Sequence, residues 1–395
     1  MKVKSSRIFR PGNRFLVPYL AFLSAFAPIS TDMYLPALPS MAENLGTSNE
    51  LVSASISMFM LVFAFSMLAW GSLSDRYGRR PALFAGALIY IISSVGIAFC
   101  NSIMPLLSWR CVQAVGSGAA TSLSMAIVKD IMKGDRMEKV ISLMQATLII
   151  APLTAPVLGG WVLALVSWRG IFWCLALCGL FAMLGVFCLA ETAPKSRTAS
   201  IAATFARMGV VLGKKEFLKP LLLFSAMSMP FMSYLATSSF IFQDGFGVSA
   251  QAYSLFFAFN ACSSLMGPLS HLYLLRHLPR NTVICAHLAL MSAAGIMLLV
   301  LGGKGPWFFA LLFAPICYCG SALRPPSTML MMQSIKGDNG IVASLINCGG
   351  LLFGSLSMFI AALAIWPNPI LAVGCIAATV SGICLVFWLK IKKDY

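Results

Sequence analysis

The sequence predicts an all-α membrane protein with twelve transmembrane helices. Its 395 residues are 59% hydrophobic and only 10% charged, with a mean hydropathy of +0.88. A soluble protein of this length carries about 25% charged residues, and a soluble core stops growing near ~250–300 residues. The apolar stretches are continuous rather than alternating, which excludes a transmembrane β-barrel. The chain is therefore expected to cross a bilayer many times.

A helix needs ~20 apolar residues to cross the hydrocarbon core of a bilayer. The first apolar run follows several basic residues, but it is too long for a signal peptide and many similar runs follow it, so we interpret it as a transmembrane helix. Turn-forming residues separate the runs. The predicted spans are 15–37, 48–71, 82–100, 103–128, 138–163, 168–190, 218–242, 250–275, 281–302, 306–333, 340–365 and 368–390.

The longest polar stretch lies in the middle of the chain and divides the spans six and six. We predict an N-terminal six-helix bundle at 1–190, a cytoplasmic loop between the bundles at 191–217, and a C-terminal six-helix bundle at 218–395. A weak repeat supports two pseudo-symmetric halves, because the sequence Gly-Pro-Leu-Ser at 267–270 repeats Gly-Ser-Leu-Ser at 71–74 after 196 positions. Halves of this kind hold their binding site at the midplane between them.

The basic residues predict the orientation of the chain. All but four of the 28 lysines and arginines fall on one side of the predicted membrane, the exceptions being Arg169 and Lys304 opposite and Arg110 and Arg324 within spans. Cytoplasmic loops are enriched in Lys and Arg, so both termini are expected in the cytoplasm. The net charge of +16 is then a topological signal, and we expect the bilayer as a partner but no nucleic acid.

The 12 cysteines lie mostly inside apolar runs and show no zinc or redox spacing. We interpret them as small hydrophobic residues in a reducing compartment. The sequence therefore predicts no metal and no cofactor. It contains no feature that indicates an oligomer, so a monomer is expected.

Charged side chains within spans are costly in a bilayer and are candidates for function. Asp32 is the only carboxylate within a predicted span, and a carboxylate with little water around it retains a proton more readily. It is either a proton- or cation-binding group or a solvated residue near the outer mouth. Arg110 is expected at a depth similar to that of Asp32. It is either the electrostatic partner of Asp32 or an arginine whose charged end reaches the membrane surface. Arg324, before two prolines, lines the cavity or reaches the cytoplasm.

Four sequence patterns resemble those of a known family of transporters. The loop Gly71–Pro81 resembles the pattern G-x-L-s-D-R-x-G-R-R-P between helices 2 and 3 of the major facilitator superfamily. In span 5, Pro152, Pro156, Gly159 and Gly160 resemble the second half of its antiporter motif G-x-x-x-G-P-x-x-G-G, with alanines in place of both earlier glycines. Span 4 resembles R-x-x-Q-G with Ala114 for glycine. The run Thr-Asp-Met-Tyr-Leu-Pro-Ala-Leu-Pro at 31–39, with Trp168–Phe172 and Glu191-Thr192, is similar to the Bcr/CflA (bicyclomycin/chloramphenicol resistance) type.

The resemblance implies a proton-driven antiporter that exports small, partly apolar drugs across a bacterial inner membrane by alternating access. Asp32 would carry the proton and Arg110 would be its partner. The proton gradient would be the energy source, without a cofactor.

The resemblance also implies a conformational latch in the first basic loop. Asp75 and Arg79 would form a charge relay with Asp130, and Asp75 would face the N-terminus of helix 11 near Gly340. A carboxylate at a helix N-terminus gains ~0.3–1 kcal/mol from the dipole. The loop would thus favour the outward-open state, with Gly71 permitting the close approach. The loop also contains two further arginines, Arg76 and Arg80, which we assign to the same latch.

Methionine, aromatic and polar residues within the spans suit an adaptable substrate cavity. The alternative is that they pack or face lipid. The candidates are Phe26, Tyr34, Met58, Gln145, Tyr234, Asn260, Arg324 and Asn347. The three histidines, at 271, 277 and 287, are scattered, and we interpret them as non-functional.

Two other functions remain open at this point. The same fold could export or import one physiological metabolite, such as an amino-acid derivative or a metallophore. A membrane-embedded enzyme would need a cluster of His, Ser or carboxylate groups within the spans, and the sequence shows a single Asp there. The chain is therefore not expected to be an enzyme.

Overall fold

The computed structural model describes residues 15–193, 201–335 and 339–392. Every regular element in these ranges is helical, and we label the crossings α1–α12 in chain order. Their bounds are Leu16–Ser24, Phe26–Asp32 and Leu38–Asn44 (together α1), Asn49–Tyr77 (α2), Arg79–Ala98 (α3), Ile103–Ile131 (α4), Gly134–Leu165 (α5), Trp168–Cys188 (α6), Lys215–Ala226 and Met229–Phe240 (α7), Ala250–Leu274 (α8), Arg280–Leu301 (α9), Pro306–Ala322 and Arg324–Gln333 (α10), Asn339–Ala361 (α11) and Pro369–Ile391 (α12).

Three crossings are broken, and each break lies two or three residues before a proline. The two parts of α1, Leu16–Ser24 and Phe26–Asn44, are bent by 48°, and Pro28 follows this break. Pro230 and Pro325 follow the breaks in α7 and α10. Proline removes one backbone hydrogen bond and clashes with the carbonyl four residues earlier. A proline therefore accompanies each of these three breaks. Other prolines lie inside helices that continue, namely Pro152, Pro156, Pro220, Pro268 and Pro315.

The length and composition of the helices confirm a polytopic all-α fold. In the described ranges, ten helices are long and apolar enough to cross a membrane, and the bent α1 makes eleven. The remaining crossing, α8, has 25 residues, and at ~1.5 Å per residue it is also long enough. Its polar residues, including Gln251, Ser254 and Asn260, lower its hydropathy. This polar helix packs against α5 of the other half.

The structure corrects one detail of the sequence prediction. Residues 71–81 were expected to form a loop, but α2 continues to Tyr77 and α3 begins at Arg79. Gly78 alone separates the two helices, with φ +104°, a region that favours glycine. Within the predicted loop between the bundles, Ile201–Leu212 forms a further helix, which we call the linker helix, whereas 194–200 lie outside the described residues. The predicted cytoplasmic tails, 1–14 and 393–395, also lie outside them.

The helix contacts repeat from one half to the other. In the first half α4 packs against α2 and α3, and in the second half α10 packs against α8 and α9. Between the halves, α2 packs against α11 and α5 packs against α8. A Cβ on Gly71 would meet Ser122, and a Cβ on Gly267 would meet the backbone of Tyr318. Gly71 and Gly267 are 196 positions apart, and so are Ser122 and Tyr318. The weak sequence repeat therefore corresponds to a repeat in the packing.

We name the side of the membrane that carries Asp75 the inner side, following the charge distribution, and the opposite side the outer side. Among the described residues, side-chain hydrogen bonds that join the halves lie toward the outer ends of the helices. Their donor–acceptor pairs are Asn49–Asp244, Ser53–Ala236 O, Gln243–Pro36 O, Gln251–Gly160 O and Ser254–Pro156 O. The structure is therefore closed on the outer side.

The inner side is open to solvent between the halves. Gln145 in α5 is exposed. At ~100° of rotation per residue, it lies on the helix face opposite to Leu158 and Trp161, which are also exposed. In α11, Asn347 is exposed on the face opposite to the exposed Leu356. Since the large apolar side chains mark the lipid-facing surface, the two amides lie on the faces of α5 and α11 that point away from lipid.

A single glycine sets the distance between α1 and α5. A Cβ on Gly159 would collide with the backbone carbonyl of Met33, the residue after Asp32. A backbone carbonyl cannot swing aside as a flexible side chain can. The two helices can be this close only because position 159 has no side chain.

We predict that Gly159→Ala lowers the stability of the protein by about 1–3 kcal/mol, the usual cost of overpacking. The matched control is Gly350→Ala, a helical glycine in α11 whose Cβ would have open space around it. That change should leave the midpoint unchanged or raise it, since alanine favours a helix by about 0.5–1 kcal/mol. Thermal unfolding of both variants in detergent measures the difference, and equal midpoints would contradict the contact.

Candidate functional site

Asp32 is the centre of the candidate site. It ends the middle segment of α1, is 4% exposed, and is the only buried acid among the described residues. Thr31 donates a hydrogen bond of 2.9 Å from Oγ1 to its Oδ1. In the part of the chain that the structure describes, Asp32 forms no ion pair. Two tyrosines, Tyr34 and Tyr253, lie within electrostatic range, and Tyr253 belongs to α8 of the other half.

Arg110 lies in α4 and is completely buried. Its Nη1 donates to the carbonyl of Ser30 at 3.2 Å and to Oε1 of Gln113. Gln113 in turn donates to Oγ of Ser94 in α3 at 2.8 Å. Arg110 therefore joins α1, α3 and α4 through one polar network, and snorkelling to the membrane surface does not describe it.

Aromatic rings enclose the guanidinium of Arg110. Its Cζ lies 4.4 Å from the ring centre of Tyr34, 4.3 Å from that of Phe59 and 6.0 Å from that of Phe172. Cation–π contacts of this kind are attractive, more so when water is excluded. Its Nε and Nη2 have no hydrogen-bond partner. The site therefore contains a buried cation whose hydrogen-bonding capacity is only partly used.

Asp32 and Arg110 are neighbours without being paired. The carbonyl that accepts from Arg110 belongs to Ser30, two residues before Asp32, and Tyr34 interacts with both charged groups. The two groups do lie at a similar depth. Asp32 lies within electrostatic range of Tyr253 in α8, and the guanidinium contacts residues of the first half.

The proline- and glycine-rich part of α5 connects this site to the other half. Gly159 contacts the backbone of α1 beside Asp32, and a Cβ on Gly160 would meet Oγ of Ser254 in α8. That hydroxyl donates to the carbonyl of Pro156 at 2.9 Å. Pro152 lies one turn further inward. The same stretch of α5 therefore contacts both α8 and the helix segment that holds Asp32.

Arg79 is the centre of the inner-side relay. Its Nη1 contacts Asp75 at 2.6 Å, and its Nε donates to Asp130 at 2.9 Å. Ser74 also accepts from Nη1 at 2.6 Å. The structure therefore brings Asp75, Arg79 and Asp130 together at the inner ends of α2, α3 and α4.

The partner expected for Asp75 in the other half is not engaged. Asp75 is 44% exposed, Gly340 is exposed, and a Cβ on Gly340 would meet nothing within 4 Å. Gly71 likewise has open space around it, with Ser122 Oγ 3.8 Å from its Cβ position. Arg76 is exposed beside the ring of Tyr77. A relay formed within one half and free toward the other agrees with an open inner side.

Next to the relay, side chains at the ends of α3 and α6 bind the backbone at the end of the other helix. The carboxylate of Glu191, just beyond α6, accepts from the first backbone N–H groups of α3, those of Arg79 at 2.8 Å and Arg80 at 3.2 Å. The side chain of Arg80 donates to the last carbonyls of α6, those of Val186 and Phe187. An acid at a helix N-terminus and a base at a C-terminus are both stabilising. This exchange fixes α6 against α3.

Glu191 has a perturbed ionisation because of these bonds. Partial burial raises the pKa of its carboxyl, but the four backbone N–H donors, from Arg79, Arg80, Thr192 and Ala193, outweigh burial and lower the pKa below its ordinary value. A Cβ on Gly78 would collide with the same carboxylate. Gly78 is thus needed both for its backbone angle and for the space that Glu191 occupies.

The residues expected in the substrate cavity do not form one surface in this structure. Phe26, Tyr34, Tyr234 and Asn260 are buried in packing. Tyr234 stacks on Phe313, with ring centres 4.2 Å apart, and accepts from Nδ2 of Asn260 at 3.2 Å. Met58 shares an exposed stripe of α2 with large apolar side chains.

Three expected cavity residues are accessible to solvent, namely Gln145, Arg324 and Asn347. Arg324 begins the second part of α10 and is exposed although protein encloses it on several sides. It lies at the break in α10, two residues after the first part of the helix ends at Ala322. The accessible expected residues are therefore polar, whereas the aromatic ones are packed.

The sequence did not indicate the roles of three residues. Glu191 was noted only as part of a family resemblance, and no signal predicted its bonds to a helix more than 100 positions away. Tyr253 and Ser254 are ordinary residues in a polar helix, and only the contact between α5 and α8 reveals them. The low hydropathy of α8 is the one sequence signal that pointed to a helix between the halves.

We predict that Glu191→Gln lowers the unfolding midpoint near neutral pH. Because the folded-state pKa is lowered, the ionised carboxylate contributes stability above its unfolded pKa, ~4.3 for Glu, and this contribution is lost as the pH falls through the folded value. The wild type should therefore lose more stability on acidification than the variant does. Thermal unfolding between pH 7 and pH 3.5 tests this, with the exposed Glu43→Gln as control. Parallel curves for wild type and Glu191→Gln would contradict the capping role.

Comparison with known proteins agrees with this geometry. A family model described as Major Facilitator Superfamily matches residues 20–345. The chain is 29% identical over 348 residues to the "Uncharacterized MFS-type transporter YdgK" of Bacillus subtilis, covering 85% of this chain and 86% of the relative. It is 27% identical over 346 residues to the "Bicyclomycin resistance protein homolog" of Haemophilus influenzae, covering 85% and 87%. It is 29% identical over 289 residues to "Multidrug resistance protein MdtL" of Escherichia coli, covering 73% of each.

Solved structures share the fold at low sequence identity. A crystal structure of a peptide transporter POT in complex with sulfate superimposes with a TM-score of 0.77 at 16% identity, covering 96% of this chain and 94% of that one. A D-xylose–proton symporter superimposes with a TM-score of 0.68 at 14% identity, covering 94% and 96%. The family model, the twelve crossings and the repeated packing of the two halves lead to one conclusion: the chain belongs to the Major Facilitator Superfamily.

Proposed function

We propose that this transporter is a proton-coupled antiporter that exports small, partly apolar compounds. The observation that carries the proposal is Asp32, a buried carboxylate without a cation, placed where α1 contacts α5 and faces α8. An acid in this position lies between the two halves. Its charge state therefore depends on how the halves are arranged.

The surroundings of Asp32 favour the protonated acid in this conformation. An ionised carboxylate in a low-dielectric environment is costly unless it is paired, and its side-chain partner in the described structure is the Thr31 hydroxyl. Release of the proton then requires water or a cation to reach the carboxylate. Binding of a substrate in the adjacent space can supply that change, and this is how one site can exchange a proton for a substrate.

Arg110 is proposed to strengthen this coupling. Its Nε and Nη2 are without partners, and its position beside Ser30 puts it close to the segment that carries Asp32. A fixed positive charge stabilises the ionised form of a nearby acid. A movement of α1 that brings Asp32 toward Arg110 would therefore favour proton release.

The conformation is the one that an exporter uses to load its substrate. The outer ends of the halves are joined by hydrogen bonds, while Gln145 and Asn347 are exposed on helix faces that point away from lipid. The Asp75–Arg79–Asp130 relay is formed and free to engage α11 when the inner side closes. The relay is proposed to act as a latch that stabilises the outward-open state, with Gly71, Arg76 and Arg80 in the segment that approaches α11.

The names of two relatives support the substrate class, since one is a bicyclomycin resistance homologue and the other a multidrug resistance protein. We further propose a bacterial inner-membrane location with both termini in the cytoplasm, because the basic residues lie on one side. The protein is proposed to act as a monomer, without a cofactor, and to draw its energy from the proton gradient.

A second candidate is dedicated transport of one metabolite. The observation that favours it is Arg324, an exposed cation at the break in α10. A fixed cation there suits a substrate with an acidic group, such as an amino-acid derivative or a metallophore, rather than a neutral or cationic drug. The direction of transport would then be export or proton-coupled uptake.

We predict that substrate binding releases protons from the wild-type protein and none from Asp32→Asn. Proton release is measured in weakly buffered detergent solution with a pH indicator while bicyclomycin, the compound in the name of the Haemophilus relative, is added. The control is Asp135→Asn, which removes an exposed acid from the first turn of α5 and should release protons as the wild type does.

Three outcomes of this experiment differ in meaning. Equal release from wild type and Asp32→Asn would contradict Asp32 as the exchange site. Binding of bicyclomycin without proton release would contradict antiport of that compound. Absence of bicyclomycin binding, followed by proton release with an acidic metabolite, would favour the second candidate.

We predict that Arg110→Lys lowers the transport rate at least about tenfold, equivalent to ~1.4 kcal/mol. Lysine keeps the charge but cannot reproduce the planar contacts with Tyr34 and Phe59 or the two bonds from Nη1. The conservative Arg169→Lys, at an outer-side arginine bonded to Asn101, is the control. Transport by Arg110→Lys at the wild-type rate would contradict the proposed role of the guanidinium.

A further inference from the structure

The second half contains a counterpart of the Asp75 relay with different chemistry. The repeat at 196 positions relates Gly71 to Gly267 and Ser74 to Ser270, and the next position pairs Asp75 with His271. Both glycines face the neighbouring helix of their own half, since the nearest atom to Gly71 is in Ser122 of α4 and the atoms nearest to Gly267 are in Ser321 and Tyr318 of α10, where the packing is tighter. His271 is therefore the structural counterpart of the latch carboxylate.

A second arginine holds a similar place in the fold, although Arg280 lies 201 positions after Arg79 and so is outside the 196-position register. Arg79 is the first residue of α3, and Arg280 is the first residue of α9. Arg79 donates to Asp130 in α4, whereas Arg280 donates from Nη2 to the carbonyl of Pro326 in α10 at 2.8 Å. Asp130 and Pro326 are again 196 positions apart. The second half keeps the geometry but has replaced both carboxylates, one by a backbone carbonyl and the other by an imidazole.

His271 is buried and its hydrogen-bonding groups are unused. It is 1% exposed, and neither of its ring nitrogens has a partner. The ring of His287 in α9, which is 4% exposed, lies 5.8 Å away between centres. The Nδ1 of His287 is 2.7 Å from the carbonyl of Val283, and that contact requires a proton on Nδ1. Its Nε2 is then left as an acceptor.

The groups around the pair are basic or neutral. Arg280 and His287 approach His271 from α9, and Tyr318 of α10 stacks on His287 with ring centres 5.7 Å apart. The hydroxyl of Tyr318 accepts from Ser270, beside His271, at 2.6 Å. In the described ranges neither histidine forms an ion pair. A positive charge on the pair would lie near Arg280 with no acid to compensate it.

The chemistry of the pair indicates which ligand it takes. Unpaired buried nitrogens are rare in folded proteins, so a partner is expected. A structural metal site uses three or four ligands, and the described residues contain no group of three or more His, Cys, Asp or Glu side chains suited to one. Two facing imidazoles with a free acceptor nitrogen can bind a proton and share it through one N–H···N bond.

We propose that His271 and His287 form a second proton-binding site at the inner end of the second half. In the neutral state the two rings pack between α8, α9 and α10. Protonation draws the rings together and places a cation beside Arg280, and this repulsion is relieved when the inner ends of α8 and α9 separate or admit water. The pair therefore makes the second half respond to the pH of the inner side.

The role of this site in transport rests on the proposed proton coupling, whereas proton binding itself does not. The site would add to the proton that Asp32 exchanges and would set the pH range in which the inner side opens and closes. It also revises the interpretation of the histidines as non-functional, which rested on their distance in sequence. His277, by contrast, is exposed.

The chain contains 3 histidines, so each can be followed by NMR in the full-length protein. Histidine labelled with ¹³C at Cε1 is incorporated, and the signals are assigned with His271→Gln, His277→Gln and His287→Gln. The signal of the exposed His277 serves as the reference within the same protein. The signals of His271 and His287 should change together between pH 5 and 8.5, and His287→Gln should shift the midpoint of His271, as coupled groups require.

Two NMR results would overturn the site, and both can be obtained without a substrate. The first is that the wild-type signals of His271 and His287 stay constant between pH 5 and 8.5. The second is that His287→Gln leaves the titration of His271 unchanged. The first uses only the wild type, so it decides the question even if a variant does not fold.

A transport measurement tests the consequence. His271→Gln should shift or flatten the dependence of transport on inner pH, while His277→Gln should leave that dependence as in the wild type. An unchanged pH profile in His271→Gln would overturn the link to transport. Failure of the antiport proposal has a different signature, because Asp32→Asn would then transport as the wild type does.

Discussion

The contact between Gly159 and the backbone of Met33 is the constraint on which the rest of the account depends. It brings α5 against α1 at the residue that follows Asp32, and α5 is also the helix that meets α8 of the other half through Ser254 and Pro156. A buried, unpaired carboxylate would be a defect in an ordinary core. At the point where two movable halves meet, it is a group whose ionisation reports their arrangement.

The two halves distribute their polar groups differently. The first half holds a hydrogen-bonded network of Ser30, Ser94, Arg110 and Gln113, which makes it a stiff unit around one cation. The second half packs aromatic rings around Tyr234. The first half thus offers a polar, charged network and the second half an adaptable apolar cluster. This division suits a transporter whose driving ion and substrate bind near each other but make different contacts.

The inner ends of the helices show how far a duplicated element can diverge. In the first half, the relay of Asp75, Arg79 and Asp130 holds three helices together, and Glu191 adds α6 to them. In the second half, an equivalent arginine bonds to a carbonyl and an imidazole takes the place of the acid. An acid–base relay is stable over a wide pH range, whereas a histidine changes charge near neutral pH. We therefore propose that the same architecture holds a constant latch in one half and a pH-dependent one in the other.

The sequence was sufficient for the fold and for the depth of the main charged residues. Twelve apolar runs, Asp32 inside the first of them and Arg110 inside the fourth are visible because charge in a hydrocarbon core is rare. The bends were foreseeable from prolines only in part. The region around Gly78 was expected to be a loop because charge and glycine resemble loop composition, yet the helices continue to both sides of that single residue.

Other features depend on contacts between distant parts of the chain, which the sequence does not display. The bonds of Glu191 to α3 and the pairing of His271 with His287 arise from packing of different helices. Tyr234 and Asn260 looked like cavity residues because they are polar and lie mid-span, but both are buried beside an aromatic cluster, where Nδ2 of Asn260 donates to the hydroxyl of Tyr234. Whether a mid-span residue faces the cavity, a neighbour or lipid is decided by helix rotation, and a nearly uniform apolar helix has no strong amphipathic pattern to reveal it.

The most direct test of the central claim is the direction in which protons move when a substrate moves. Proteoliposomes are loaded with a compound that displaces protons from the purified protein, clamped at zero membrane potential, and diluted into compound-free buffer at the same pH. Antiport through Asp32 predicts that the lumen acidifies as the compound leaves, and that Asp32→Asn abolishes this change. Alkalinisation of the lumen, or equal acidification with Asp32→Asn, would contradict the account.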